Sequence, residues 1–408
     1  MESETEAVRQ FHGSSKVSRE KTGGGRANRR DFQFTLFHLL MLPVLLPILF
    51  LLASSDPVSL VWTAPDKGVD SVAFSSDARY LAARLTTRRT VVPFVLTETL
   101  RTVQLFALGG NPDGQMLTCS SRYDHDFPGG GHSALAFSPD GRTLAVACDS
   151  KQGGVDLWDV QTSRLRTIGT EGSPCFAVTF LGTGATLASV GRGTVVVHNL
   201  VGGERQHIAI TGFQSEVIAS RDGKILAVGG GCTEVWRPAQ PQLLFRPPMS
   251  RSVSISRNGK MLATASPGGV YLFDVGRGKL TSKYVTSGAA VVDFSPDGRL
   301  AVACGTRVRL VDVKTAVALP QTFTSSATGL TSVTFSSDGC LLAAGGRDGS
   351  VTVWDTNTGT QRYHFWLREK SWGAILAIAM FGVWLLVWFV PSMRRKHKDG
   401  RRTYRSGG

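Results

Sequence analysis

A strand-turn-strand phrase recurs seven times along this chain, and that recurrence limits the available folds more than any single motif does. Its fullest copy is "FSPDGRTLAVACDSKQGGVDLWDV", Phe137 to Val160, where alternating apolar runs are separated by "SPDG" and "SKQGG". The first strand and turn appear as "VAFSSDAR", "LAFSPDGR", "VTFLGTGA", "VIASRDGK", "VSISRNGK", "VDFSPDGR" and "VTFSSDGC". Measured between Asp77, Asp140, Thr183, Asp222, Asn258, Asp297 and Asp338, the spacings are 63, 43, 39, 36, 39 and 41 residues. Three such strands cannot bury their apolar faces alone, so the copies must pack on one another.

Asp, Asn or Thr supplies each turn because these side chains hydrogen-bond their own backbone, and the accompanying glycine accepts positive φ. A second apolar strand follows ("TLAVA", "RLAVA", "LLAAG"), then a third ("VDLWDV", "GVYLFDV", "SVTVWDT") and a weaker fourth ("RQHIAI", "KLTSKYV", "TQRYHF"). Four strands in about forty residues is the period of a propeller blade, so the expected fold is an all-β, seven-bladed β-propeller over residues 57–366.

Over that span the chain resembles the WD-repeat family. Trp158-Asp159 and Trp354-Asp355 match its dipeptide, Gly131-His132 matches its glycine-histidine pair, and Asp348 stands where its turn aspartate is expected. The resemblance implies structural roles for His132, Trp158, Asp159, Asp348, Trp354 and Asp355, and a non-catalytic scaffold for a protein or peptide partner. Other blades carry Phe106, His198, Phe273 or Val311 in place of the tryptophan, and most lack the histidine. The family's buried polar network is therefore expected to be incomplete, with more reliance on packing and cross-strand pairs.

Two departures from the repeat mark a candidate partner-binding surface. "TTRRTVVPFVLTETLR", Thr86 to Arg101, reads as an insertion between the second and third strands of blade 1, and "SRYDHDFPGGG", Ser121 to Gly131, enlarges the connection to blade 2. In a WD-type propeller both emerge on one face, presenting Arg88, Arg89, Glu98, Arg101, Arg122, Tyr123, Asp124, His125, Asp126 and Phe127. Mixed charge and aromatics on a rigid scaffold suit protein recognition.

Two apolar stretches bracket the repeats. "LFHLLMLPVLLPILFLLA", residues 36–53, and "WGAILAIAMFGVWLLVWFV", residues 372–390, are each long enough to cross a bilayer as a helix. Of the net charge of +14, residues 1–35 carry about +2 and residues 391–408 about +6. Basic residues thus crowd the outer flanks, from Lys16 to Arg30 and from Arg394 to Arg405, whereas the inner flanks hold only Lys67, Arg362, Arg368 and Lys370. By the positive-inside rule, both basic tails are expected in the cytoplasm and the propeller in the periplasm or extracellular space. "ASS" at 53–55 also permits a cleaved signal peptide, which leaves the same topology for the propeller. The charge distribution argues for topology rather than nucleic-acid binding.

The six cysteines form no CxxC pair, and Cys148 and Cys304 share an "AVAC" context that suits small core residues. "DHD" at 124–126 projects three adjacent side chains in different directions, a poor metal cage. No catalytic motif, cofactor loop or nucleophile elbow occurs, so no catalytic, cofactor or metal residues are assigned. The rival readings are an enzyme with a site in the channel or enlarged loops, and a cytosol-facing assembly platform. Ring closure is open between "SLVWT", 59–63, and "TQRYHF", 360–365; the second would start the C-terminal apolar stretch from the enlarged-loop face.

Overall fold

The computed structural model describes residues 66–92, 96–109, 115–117, 122–123, 133–148, 154–170, 174–286, 288 and 291–367. All regular structure among them is β. Both apolar stretches, both tails, "SLVWT", Asp124 to Phe127 and His132 lie outside the described residues. Among the described residues, no helix is long and apolar enough to cross a membrane.

Seven antiparallel sheets follow one another along the chain. Blade 1 comprises β1 (Asp66–Phe74), β2 (Tyr80–Val92), β3 (Leu96–Ala107) and β4 (Gln115–Leu117), with β5 (Arg122–Tyr123) paired to β3. Blades 2 to 7 occupy residues 135–168, 177–209, 214–245, 252–284, 291–324 and 330–366, each with four strands in chain order. The first strand of every blade touches the first strand of the next, and β1 touches Leu330–Phe335 of blade 7, which completes a ring.

Period-two alternation explains how one strand serves two neighbours. In Thr143–Cys148 of blade 2, Leu144, Val146 and Cys148 join the core shared with blade 1, whereas Ala145 and Ala147 join the core shared with blade 3. Blade 6 repeats the pattern, with Leu300 and Val302 facing blade 5 and Ala301 and Ala303 facing blade 7. The alanines leave room for the inner-strand phenylalanine of the following blade, Phe180 in the first case and Phe335 in the second. Seven cores result, one at each blade-to-blade contact.

The turn phrase is a hydrogen-bonded device. In blades 1, 2, 4, 5, 6 and 7 a serine hydroxyl donates to the Asp or Asn two residues later, as from Ser75 to Asp77 (2.6 Å) and Ser220 to Asp222 (2.6 Å). The same serine accepts a backbone N–H at the start of the second strand, as from Tyr80 (2.9 Å) and Ile225 (3.0 Å). Ser138 and Ser220 thereby hold the Asp140 and Asp222 carboxyls below the usual range. Blade 3 lacks the device, with Leu181 and Thr183 at the two positions.

"TQRYHF" supplies the outer strand of blade 7, Gln361–Trp366. Among the described residues, no strand is exchanged across the junction with blade 1. Closure rests on a core joining Val69, Leu81 and Phe106 to Val351, Val353 and Phe365, with the Phe106 and Phe365 rings stacked at 4.3 Å. Hydroxyls of Thr331 and Ser337 also donate to the backbone carbonyls of Val69 and Ser76 across it. Phe365→Ala should lower stability by about 3–5 kcal/mol, seen as a drop in the urea midpoint. Leu280→Ala, at a 52 % exposed position, should leave the midpoint nearly unchanged.

Elsewhere, half-buried Asp293 and buried Glu216 cross-link the inner strands. Asp293 of blade 6 accepts the Ser254 hydroxyl of blade 5 (3.1 Å) and the Phe335 N–H of blade 7 (2.9 Å), and Glu216 of blade 4 accepts the Val253 N–H of blade 5 (2.7 Å). Burial pushes the Asp293 carboxyl up to about 6. Folded Asp293 therefore keeps its proton between about pH 4 and 6, where the unfolded chain has lost it. Its stabilising contribution is full below that window and is lost as pH rises through it, on the order of 3 kcal/mol. Asp293→Asn should flatten the fall in stability between pH 4 and 6, measured by denaturant unfolding across that range.

Candidate functional site

Chain direction sorts the loops onto two faces. Turns after the first and third strands of each blade lie on one face, which carries Asp77, Asp140, Asp222, Asp297 and Asp338 together with Asp159, Asp274, Asp312 and Asp355. Turns after the second strands and the blade-to-blade connections lie on the other. These are the aspartate face and the hairpin face.

Thr86 to Arg101 continues the sheet of blade 1, correcting its reading as a loop insertion. β2 and β3 stay paired from Tyr80↔Ala107 through Thr86↔Arg101 to Thr90↔Thr97 and Val92↔Leu96. Threonine, valine and leucine at these positions suit extended backbone, so the strands lengthen instead of looping. Arg122 and Tyr123 pair with Leu100 and Thr99, so the two enlargements meet as a three-stranded layer. The register sets Arg89 opposite Glu98 and places Arg88 and Tyr123 on either side of Thr99.

Arg101, by contrast, is only 6 % exposed and lies inside the blade. Sequence could not show that burial, because it depends on the neighbouring strands of the ring wall. The root below it contains an ion pair between buried Arg84 and half-buried Asp70: Arg84 binds Asp70 through Nε (2.9 Å) and Nη2 (3.0 Å) and donates from Nη1 to the Ala147 carbonyl of blade 2 (3.1 Å). Thr86 Oγ1 also donates to Asp70, at 2.6 Å. This cluster ties hairpin, blade 1 and blade 2 together.

The chain enters and leaves beside this hairpin. Gly349, in a hairpin-face turn of blade 7, receives the N–H of Leu367 at its carbonyl (3.0 Å), and a Cβ at Gly349 would stand 3.9 Å from the Lys67 side chain. Lys67 and Leu367 thus bracket one turn, on the face that also carries the enlarged loops.

The aspartate face holds a feature that the motif search did not assign. Between blades 3 and 4 an open cleft of about 630 Å³ is lined by Leu181, Thr183, Glu204, Arg205, Asp222 and Pro238, among others. It borders the one turn without the serine-aspartate device. That substitution of Leu181-Gly182-Thr183 was the sequence signal available for it. Glu204 and Arg205 are exposed at the rim, and Asp222 is fixed by Ser220 and the Lys224 N–H (3.1 Å). Acid, base and apolar walls in one concavity suit a peptide segment.

The dipeptide motifs do structural work. Trp354 is buried against Phe323, with ring centroids 5.9 Å apart, and half-buried Trp158 packs on the core between blades 1 and 2. Asp159 accepts the N–H groups of Gln161 and Thr162, and Asp355 those of Asn357 and Thr358. Arg362 also binds Asp355 at 2.9 Å and, with those N–H groups, holds its carboxyl down to about 2. Asp348 accepts the Ser350 N–H and hydroxyl, closing the turn beside the chain ends. Cys148 lies within a core, its thiol directed at the Val146 carbonyl (3.7 Å), and Cys304 is half-buried. Among the described residues, no group of three or more His, Cys, Asp or Glu could hold a metal ion.

Residues 127–159 and 318–355 match the family model described as "WD domain, G-beta repeat", and both matched spans end on a Trp-Asp pair. No curated protein matches the chain.

Removing one member of the hairpin-root pair strands a charge. Arg84→Met should cost about 3–5 kcal/mol, whereas Arg84→Met combined with Asp70→Leu should recover most of that loss. Denaturant midpoints of the single and double variants check the coupling.

Proposed function

The chain carries WD repeats on a seven-bladed β-propeller, and from that premise we propose that it is a membrane-tethered, non-catalytic scaffold. In this reading it displays a protein-interaction surface on the extracytoplasmic side. WD propellers commonly bind protein partners, and a rigid ring built from seven structural repeats is suited to that use.

The observation that carries the reading is the juxtaposition of Lys67 and Leu367 at the Arg347–Gly349 turn. Two chain ends leaving one point of one face lead, in sequence, toward the apolar stretches at 36–53 and 372–390. Two anchors from one point tether the ring by its hairpin face and turn the aspartate face outward. Basic flanks at 16–30 and 394–405 set both tails in the cytoplasm, so the ring lies across the membrane from them.

Recognition then falls to the outward face, where the cleft between blades 3 and 4 offers a concave site with a charged rim. The alternative surface, the layer with Arg88, Arg89, Glu98, Arg122 and Tyr123, shares its face with both chain ends and is the more hindered of the two.

Protease added to intact cells should digest the ring while sparing a tag on the C-terminal tail. A ring cleaved only after the cells are opened would sink the exported topology. In cross-linking of the full chain, Glu204→Arg with Arg205→Glu should lose the partners captured by wild type, and Arg88→Glu with Arg89→Glu should keep them. The reverse pattern moves recognition to the hairpin layer.

A further inference from the structure

The two faces differ in charge as well as in loops. On the hairpin-face turns and connections, the exposed charged side chains described are Lys67, Arg192, Arg246, Arg251, Arg307 and Arg347, all cations. The acids described there are withdrawn: Glu234 is fully buried beneath Thr211 and Arg246, and half-buried Asp348 is occupied by Ser350. On the aspartate face, nine aspartates are interleaved with Arg and Lys.

Apolar side chains project among these cations. Met249, between blades 4 and 5, is 68 % exposed; Val285, between blades 5 and 6, is 72 % exposed; and Trp366, where the chain leaves blade 7, is 57 % exposed. Trp366 stands edge-on to His364, with centroids 5.4 Å apart. The aspartate face also exposes apolar side chains, Leu165, Val201, Leu280 and Val317, but among mixed charges; cations and apolar knobs together suit an interface of phosphate headgroups and acyl chains.

We propose that the hairpin face docks on an anionic phospholipid surface, with Arg251, Arg307 and Arg347 on the lipid phosphates and Met249, Val285 and Trp366 at the acyl boundary. The occupant is argued from two facts: among the described residues the exposed charges of the face are cationic over several blades, and the chain departs from it at both sides toward apolar stretches. This rests on the membrane-tethered reading but adds to it, since a tether alone leaves the ring free to tilt. Attraction between exposed cations and anionic headgroups acts within about one Debye length and is screened by salt.

The chain carries its own reporters. Exposed Cys232 lies in the hairpin-face turn of blade 4, half-exposed Cys304 ends the second strand of blade 6 at that face, and exposed Cys340 lies on the aspartate face. The full chain is reconstituted in vesicles of phosphatidylcholine alone or mixed equally with phosphatidylglycerol, and alkylation of each cysteine by an impermeant maleimide is timed by mass spectrometry. Relative to Cys340, Cys232 and Cys304 should react several-fold more slowly in anionic vesicles than in neutral ones. High salt should remove the difference, as should Arg251→Glu with Arg307→Glu; the salt series on wild type stands whether or not that variant folds.

Chain that floats with neutral vesicles but shows equal Cys232 rates in both lipids overturns the docking while leaving the tether intact. Failure to float with neutral vesicles removes the tether. In that case, flotation and Cys232 protection with anionic vesicles alone support the docking, and no flotation overturns it. Stronger Cys232 protection by added RNA than by anionic vesicles also overturns it, in favour of a nucleic-acid surface.

Discussion

Everything in this molecule depends on a blade being unable to bury itself. A four-stranded sheet with apolar residues on both sides must be covered twice, and here each blade is covered by its two neighbours. The seventh contact is the critical one, because only it converts a stack with two exposed ends into a ring. Among the described residues it is made by the Phe106 and Phe365 stack, the surrounding aliphatic residues and two hydroxyl-to-carbonyl bonds. Side-chain packing therefore carries the closure, and the size of each side chain there matters more than its polarity.

Much of this was legible in the residues, and the limits are instructive. Alternation and turn chemistry are local, so "TLAVAC" and "VDLWDV" located their strands, and the serine-aspartate phrase located six of the seven inner turns. Which of "SLVWT" and "TQRYHF" ended the last blade could not be read, because both have the composition of an outer strand. That position is half-solvated and accepts many sequences. Thr86 to Arg101 was misread for a related reason: a stretch exceeding the repeat looks like a loop, yet nothing in its composition prevents two strands from lengthening together. Long-range cross-links such as Asp293 to Phe335 join residues one blade apart and leave no local trace.

The same separation explains why the candidate site was only partly readable. The enlargements at 86–101 and 121–131 could be seen as departures, and the register brings Arg122 and Tyr123 against β3. Burial of Arg101 and the Asp70 to Arg84 pair beneath it required the ring wall itself. The cleft at blades 3 and 4 arises where a turn motif fails, which is a weaker signal than a motif gained. A missing serine and aspartate deprive one turn of its internal bonds without saying what the altered surface faces.

Chain direction finally links fold and function. Four strands per blade is an even number, so a chain that starts its first inner strand from one face ends its last outer strand at that same face. With no strand exchanged at the closure among the described residues, Lys67 and Leu367 both stand at the hairpin face. Had a segment ahead of β1 supplied the outer strand of blade 7, both ends would have left from the aspartate face. The choice of closing strand thus fixes the face at which the described chain enters and leaves the ring. The serine-aspartate turns, rigid and self-satisfied, then present the other half to solvent at little conformational cost. A surface already held in place by its own hydrogen bonds has less entropy to lose when a partner arrives, which favours that face for recognition.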